Sequence, residues 1–96
     1  MIASFADDAT ADLFHGHETG RVRRWSAEIK KVARRKMDLV NAAAKLDDLR
    51  APPRNRLEAL KGDLAGFHSI RVNDQWRIVF RWNDGAAHEL RMTDYH

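Results

Sequence analysis

Hydrophobic and polar residues alternate in three runs in the last third of the chain. The runs are Phe67–Val72, Trp76–Trp82 and Glu89–Thr93. A period of two is typical of β-strands that bury one face and expose the other. Asn73-Asp74 follows the first run, and Asn83-Asp84-Gly85 after the second favours a tight hairpin. Because the connections are short, the pattern predicts an antiparallel sheet.

A period of three to four residues replaces this alternation between Ser26 and about Ala44. Ser26 is of a residue type that caps helix N-termini, and Glu28 places negative charge in the first turn. The apolar face consists of Ile29, Val32, Ala33, Met37 and Val40. The basic residues predicted on the other faces are Lys30, Lys31, Arg34, Arg35 and Lys36. The spacing therefore predicts an amphipathic helix with one buried stripe.

Shorter elements are predicted on both sides of this helix. Met1–Phe5 has the weak alternation of a short edge strand. An aspartate, Asp7 or Asp8, is suited to cap a short helix that follows it. Residues 42–50 extend the long helix or form a second one, which the two prolines at 52 and 53 end because proline cannot continue a helix.

The composition is that of one small folded domain. The chain has 96 residues, of which 44% are apolar, and we expect residues 1–96 to share a single core. It has no cysteine, which excludes disulfides, a thiolate nucleophile and a cysteine-ligated zinc site. No apolar run approaches the roughly 20 residues that span a bilayer, and the N-terminus lacks the features of a secretory signal. We therefore expect a soluble cytoplasmic protein that does not contact a membrane.

Positive charge is the main functional indication in the composition. The formal net charge is +3 and the pI is about 9.7, which favours a polyanionic partner such as nucleic acid or the ribosome. The basic residues cluster around and on the long helix. Two interpretations remain open for them: a solvated helix face, or a surface that contacts phosphate.

The two faces of the predicted sheet differ in chemistry. Ile70, Ile78 and Leu90 lie on an apolar face, which we expect to pack against the apolar stripe of the long helix. This arrangement is an α+β fold, in which N-terminal helices pack on a small antiparallel sheet. The opposite face carries Arg71, Arg77, Arg81 and Arg91. Forked guanidinium donors suit phosphate, but cross-strand ion pairs, for instance with Glu89, would give an ordinary solvated face.

Acid–base side chains follow the third run, at Asp94, Tyr95 and His96. Histidine has an unperturbed pKa of about 6.5, so it can donate or accept a proton near neutral pH, and tyrosine can stack on a base. Another pair of histidines, His15 and His17, lies in a predicted loop and offers too few converging ligands for a metal ion. We therefore expect neither a metal nor another cofactor.

Three motifs together resemble the HigB-like toxins of the RelE/ParE superfamily. They are LEALKGD, HSIRVNDQWRIVFRW and the closing DYH, within Arg54–His96. The MIASF start and the alanine-rich helix that leads to LDDLR are also similar to that family. The resemblance implies a RelE-like, microbial-ribonuclease-like fold and a type II toxin that cleaves messenger RNA in the A site of the 70S ribosome. It also implies a HigA-like helix-turn-helix antitoxin, which would be the toxin's only connection to DNA.

The family's motifs assign roles to particular residues. By this resemblance, Lys61 is the lysine of the LKG motif and Arg77 is the arginine of the W-R-I motif. The acidic, aromatic and histidine residues that close the motif are Asp94, Tyr95 and His96. The resemblance thus implies that these five residues form the catalytic set. The residues expected to bind RNA are Arg71, Arg81, Asn73 and Arg91.

Two positions depart from the pattern of some relatives. Glu58 stands where they have a histidine three residues before the lysine. Asn73 stands where they have an arginine in the turn before the second strand. Arg71 lies two residues before Asn73 and can face the same side of the sheet, so it is a candidate substitute.

The reaction implied by the resemblance is metal-independent cleavage of RNA. The 2′-hydroxyl attacks the adjacent phosphate, and the 5′ oxygen departs. We expect His96 to transfer a proton, oriented by Asp94 or by its own carboxylate. Arg77 and Lys61 are expected to stabilise the charge that builds on the phosphate. Two alternatives remain open: a ParE-like toxin that inhibits DNA gyrase, and an RNA-binding domain without catalytic activity.

Overall fold

The computed structural model describes residues 1–95, which form two α-helices on one face of a four-stranded sheet. The elements are α1 (Asp8–His15), α2 (Ala27–Ala42), β1 (Glu58–Ala59), β2 (Phe67–Arg71), β3 (Trp76–Asn83) and β4 (Ala86–Asp94). All three strand pairs are antiparallel, in the order β1-β2-β3-β4. The predicted α+β class is therefore confirmed. No helix within residues 1–95 has the length and apolar character needed to span a bilayer.

The helices begin where the sequence places capping residues. Asp7 caps α1 by accepting a hydrogen bond of 2.8 Å from the backbone N–H of Thr10, and Ser26 caps α2 by accepting one of 3.2 Å from Ile29. The α-helix does not continue through residues 46–50, which form a 3-10 turn. The carboxylate of Asp48 accepts hydrogen bonds from the backbone N–H groups just after α2, and this starts the new turn.

The sheet contains one strand more than the three predicted. β1 is only two residues long, too short to show a period of two, and pairs Glu58 with Ser69. The segment Met1–Phe5 lies beside β4 as predicted for an edge, but in parallel and only through isolated bridges at Ile2 and Phe5. A bulge in β4 places Glu89 at a φ of 54°, where the hydroxyl of Ser4 accepts its backbone N–H.

The core lies between the helices and the sheet. Its fully buried members include Leu13, Met37, Val40, Ile70, Ile78, Phe80 and Leu90. Each side chain of this size contributes about 1.5–3 kcal/mol by leaving water. Lys36 departs from the predicted pattern: it was placed on an exposed face but is only 7% exposed. Its ammonium group donates a hydrogen bond of 2.6 Å to the buried side chain of Asn55, which lies beside this part of α2.

Candidate functional site

Buried residues separate the arginines on the sheet face opposite the helices. Ser69 and Val79, in its middle, are only 2% and 4% exposed. Leu64 and Phe67 line a small cavity of about 140 Å³ over Val79. The accessible arginines are thus divided between two regions. We call them the Arg77 end (Arg71, Arg77, Thr93 and Tyr95) and the Arg81 end (Phe67, Arg81 and Glu89).

Adjacent strands bring two cations together at the Arg77 end. Arg71 of β2 lies directly opposite Arg77 of β3, which in turn lies opposite Thr93 of β4. Residues paired in this way have Cα atoms about 5 Å apart, so both guanidinium groups can reach one anion. The hydroxyl of Thr93 is buried next to this pair and has no hydrogen-bond partner within residues 1–95.

The guanidinium group of Arg77 is held in one orientation. One of its terminal nitrogens donates to the backbone carbonyl groups of Asn73 and Trp76. Its central carbon lies 4.6 Å from the centre of the Tyr95 ring, which is cation–π distance. Tyr95 itself is 48% exposed, so part of its ring is available to stack on a base. An anion that met Arg77 would therefore lie beside an aromatic surface.

The turn between β2 and β3 holds this arrangement together. The side-chain oxygen of Asn73 accepts hydrogen bonds from the backbone of Gln75 (2.9 Å) and Trp76 (2.7 Å). The side-chain amide of Gln75 donates to the carboxylate of Asp94 at 3.2 Å. The backbone carbonyl of Gln75 accepts the N–H of Tyr95 at 2.6 Å. Asn73 thus shapes the turn. Gln75 was not among the predicted site residues, because a glutamine after a turn carries no distinctive pattern.

One carboxylate balances part of the charge at the Arg77 end. Arg71 donates a hydrogen bond to Asp74, and this contact is the main reason that the pKa of Asp74 lies below its ordinary value. The charges of Arg71, Arg56 and Arg77 lower this pKa further. Asp74 therefore stays ionised at neutral pH. Its side chain is 99% exposed, so it can be displaced from Arg71 by a stronger anion.

The Arg81 end already contains a partner for its arginine. Arg81 forms an ion pair of 3.1 Å with Glu89, and its guanidinium group lies 5.0 Å from the centre of the Phe67 ring. The bulge in β4 contributes to this pairing, because it sets the backbone from which Glu89 projects. The ion pair that the sequence left as an alternative is present here. Arg91 lies between the two ends, opposite the buried Val79, and is exposed.

The pairing of the backbone locates the segment that leads to Lys61. The backbone just before Lys61 pairs with Phe67, through a hydrogen bond of 2.9 Å from the N–H of Leu60. Lys61 therefore lies near the Arg81 end, about 13 Å along β3 from Arg77. His96 lies outside the described residues. Within residues 1–95, no group of three or more His, Asp or Glu side chains could hold a metal ion.

Sequence comparison finds a matching family model and several named relatives. A model of the family described as "RelE-like toxin of type II toxin-antitoxin system HigB" matches residues 3–96. Toxin HigB-1 of Vibrio cholerae is 46% identical over 67 residues, which are 70% of either chain. Endoribonuclease HigB of Proteus vulgaris is 46% identical over 41 residues, which are 43% of this chain and 45% of that one.

Solved structures with the same fold include YoeB and YafQ. The YoeB–YefM complex from Staphylococcus aureus contains a chain that is similar with a TM-score of 0.63 and 14% identity, over 100% of this chain and 98% of that one. YafQ from Escherichia coli has a TM-score of 0.60 and 14% identity, over 98% of this chain and 93% of the other. At this identity the structures confirm the fold and carry no residue-level assignment.

Proposed function

The chain belongs to the HigB family of RelE-like toxins of type II toxin–antitoxin systems, and we propose that it is an endoribonuclease that cleaves messenger RNA in the ribosomal A site. The predicted family membership is confirmed. The name of the Proteus vulgaris relative supports RNA cleavage. The single observation that connects the proposal to particular atoms is the Arg77 guanidinium, fixed against Tyr95 and opposite Arg71.

The fixed arginine fits charge stabilisation on a phosphate. When the 2′-hydroxyl of RNA attacks the adjacent phosphate, negative charge grows on the phosphate oxygens. A donor that is already oriented stabilises this charge without reorganising, which is typically the largest contribution an active site makes. We assign this role to Arg77, with Arg71 as a second donor. Tyr95 would position the neighbouring base by stacking on it.

Proton transfer completes the proposed reaction. We assign His96 as the residue that moves a proton to or from the reacting oxygens, with Asp94 orienting it. Whether it acts as acid or base is a separate question that a pH profile addresses. We propose that Lys61 contacts the RNA backbone from the Arg81 end, which the pairing of the preceding Leu60 with Phe67 supports. The mechanism uses no metal.

The proposed partners follow from the family. The YoeB–YefM toxin–antitoxin complex from Staphylococcus aureus contains a chain of this fold. For this chain we propose a HigA-like helix-turn-helix antitoxin as the neutralising partner. The other proposed partners are the 70S ribosome and messenger RNA, which places the active protein in the cytoplasm. The basic side chains of α2 and the loop before it would contact ribosomal RNA.

Mapping of RNA 5′ ends after expression of the chain tests the proposal. Wild type should produce cuts within translated codons, and His96→Ala should reduce them by about 10²–10⁴, the range of general acid–base help. Unchanged cutting by His96→Ala would remove this residue from the mechanism. Growth arrest with broken DNA and intact message would instead support a gyrase inhibitor. RNA binding with neither cuts nor toxicity would support a binding domain.

A further inference from the structure

A buried lysine lies behind the Arg77 end without an acidic partner. Lys36 of α2 is 7% exposed, and its ammonium donates a 2.6 Å hydrogen bond to the side-chain oxygen of Asn55. Asn55 is fully buried and donates in turn to the carbonyl groups of Leu49 (3.1 Å) and Ala51 (3.2 Å). Within residues 1–95, no carboxylate lies within ion-pair distance of Lys36. The Lys36 charge is therefore hydrogen-bonded but not neutralised.

The charged groups that act on Lys36 are also cations. Burial is the main reason that the pKa of Lys36 is lowered, and the charges of Arg35, Arg54 and Arg71 lower it further. These arginines keep their charge at any physiological pH. Within the described part of the chain, Arg71 forms an ion pair with the exposed Asp74, and neither Arg35 nor Arg54 has a carboxylate within ion-pair distance. The turn at Pro53–Asn55, which carries Arg54, lies beside β2, the strand that ends at Arg71, so Lys36 and these two arginines lie in one region of the molecule.

Such a cluster is costly in the absence of an anion. A buried cation loses its hydration, and like charges nearby raise the cost because repulsion is stronger where water is excluded. A bound anion offsets the repulsion among these cations, and this gain favours binding even though the anion itself loses hydration. Arg54 is exposed and Arg71 is half-buried, which leaves their guanidinium groups able to contact such an anion directly.

We propose that Lys36, Arg54 and Arg71 form a second phosphate-binding subsite, which takes the RNA phosphate next to the one held by Arg77. The identity of this phosphate rests on the proposed function, whereas the subsite itself does not. Arg71 lies directly opposite Arg77, so it belongs to both sites and fixes the direction in which the RNA backbone leaves the sheet. Arg54 and Arg71 donate to the phosphate oxygens. Lys36 is a positioning residue that acts through its charge from behind them.

A purely structural role for Lys36 makes a different prediction. Its hydrogen bond to Asn55 connects α2 to the turn at Pro53–Asn55, and this connection needs a donor but no charge. Lys36→Gln keeps an N–H donor and removes the charge. The substitution therefore separates the two roles, provided that the readout is the response to an anion rather than the stability of the protein.

The test is thermal unfolding of the full chain in inorganic phosphate and in chloride at equal ionic strength. Wild type should be stabilised by phosphate in a saturable manner, with a rise in Tm of about 3–6 °C. Lys36→Gln and Arg54→Gln should each lose at least half of this rise, as estimated from the loss of one charge-assisted donor or of the supporting charge. Lys45→Gln, an equal charge change at an exposed position outside α2, should retain it.

Three outcomes would overturn the subsite. They are no saturable rise for wild type, a full rise in both Lys36→Gln and Arg54→Gln, and an equal loss in the Lys45→Gln control. If Lys36→Gln fails to fold, Arg54→Gln carries the test, because that side chain is exposed. A short 2′-O-methyl RNA, which cannot be cleaved, should compete with phosphate in wild type. Phosphate binding without any RNA cleavage would support the subsite and contradict the nuclease. RNA cleavage without phosphate binding would support the nuclease and contradict the subsite.

Discussion

The two ends of the sheet's open face carry the same residue type in different electrostatic settings. At the Arg81 end, the arginine is paired with Glu89 on the neighbouring strand and lies over Phe67. At the Arg77 end, two arginines face each other across the strands, and Arg71 forms an ion pair with an exposed turn residue, Asp74. An incoming phosphate would have to break an ion pair within the sheet at the first end. At the second it displaces only the exposed carboxylate of Asp74 and then contacts two facing arginines.

The difference shows that arginine content alone does not locate a phosphate site. What distinguishes the ends is where the compensating carboxylate lies and how firmly the backbone holds each guanidinium. Arg77 donates to two backbone carbonyl groups and stacks on an aromatic ring, so its position is set before any ligand arrives. Preorganisation of this kind is what electrostatic stabilisation of a transition state requires.

The largest effect is expected from Arg77→Gln. Removal of a preorganised donor should lower the single-turnover rate of message cleavage on ribosomes by about 10²–10³. Arg81→Gln, the matched change at the other end, should cost less than about tenfold, because that guanidinium is already neutralised by Glu89. Equal losses for the two variants would mean that the ends do not differ in function.

Tyr95→Ala is expected to have the next largest effect. A base that stacks on an aromatic side chain gains about 1–3 kcal/mol, which corresponds to a loss of roughly 5- to 150-fold in kcat/KM. Tyr95→Phe keeps the ring over Arg77 and should retain most of the activity. A loss in the phenylalanine variant as large as in the alanine variant would assign the role to the hydroxyl group instead of the ring.

Asp74→Asn should strengthen RNA binding several-fold by releasing Arg71. Since one more cation becomes available to phosphate, the dependence of affinity on salt should steepen by about one counterion. The measurement is the affinity for 2′-O-methyl RNA at several salt concentrations. No gain in affinity would indicate that Arg71 is not used by the ligand.

The pH dependence of this gain has a definite sign. The pKa of Asp74 is lowered from 3.8, chiefly by the hydrogen bond from Arg71. The folded pKa therefore lies below the unfolded value, so the contact is fully present above the ordinary pKa and is lost as pH falls through the lowered value. The difference in RNA affinity between wild type and Asp74→Asn should be constant from about pH 5 to pH 9. A change of the cleavage rate with pH near neutrality should instead disappear in His96→Ala.

The smallest effect is expected from Glu89→Gln. This substitution breaks an exposed ion pair, which is worth about 0–1 kcal/mol, so stability should change little in thermal unfolding. Arg81 is released, but RNA affinity should rise by less than about twofold because the released charge lies at the Arg81 end. A gain in RNA affinity larger than that of Asp74→Asn would mean that RNA binds at the Arg81 end.

Much of the fold was predictable because its causes are local. Ser26 and Asp7 cap helices through contacts three residues away, and the alternation of β3 separates Ile78 from Arg77. The two-residue strand β1 was missed because its pairing with β2 is set by the sheet and has no period of its own. The fold family was predicted from motifs in combination, and the match over residues 3–96 confirms it.

The sequence predicted which side chains share the open face of the sheet better than it predicted how they are grouped. Alternation correctly placed Arg71 and Arg77 on one face. It could not show that a loop covers Val79, because the burial of Val79 depends on residues distant in sequence. The burial of Lys36 was missed for the same reason: its partner, Asn55, lies 19 residues away. The position of each counter-ion depends on the tertiary structure. These positions determine which arginines are available to a ligand.

The most direct test of the central claim is an NMR titration of the chain with 2′-O-methyl RNA, observing the arginine side-chain N–H groups and the tyrosine ring. The signals of Arg71, Arg77 and Tyr95 should shift together and saturate at one RNA concentration, while the signal of Arg81 should shift little. Saturable shifts centred on Arg81 and the Phe67 ring, with Arg77 and Tyr95 unaffected, would contradict the central claim.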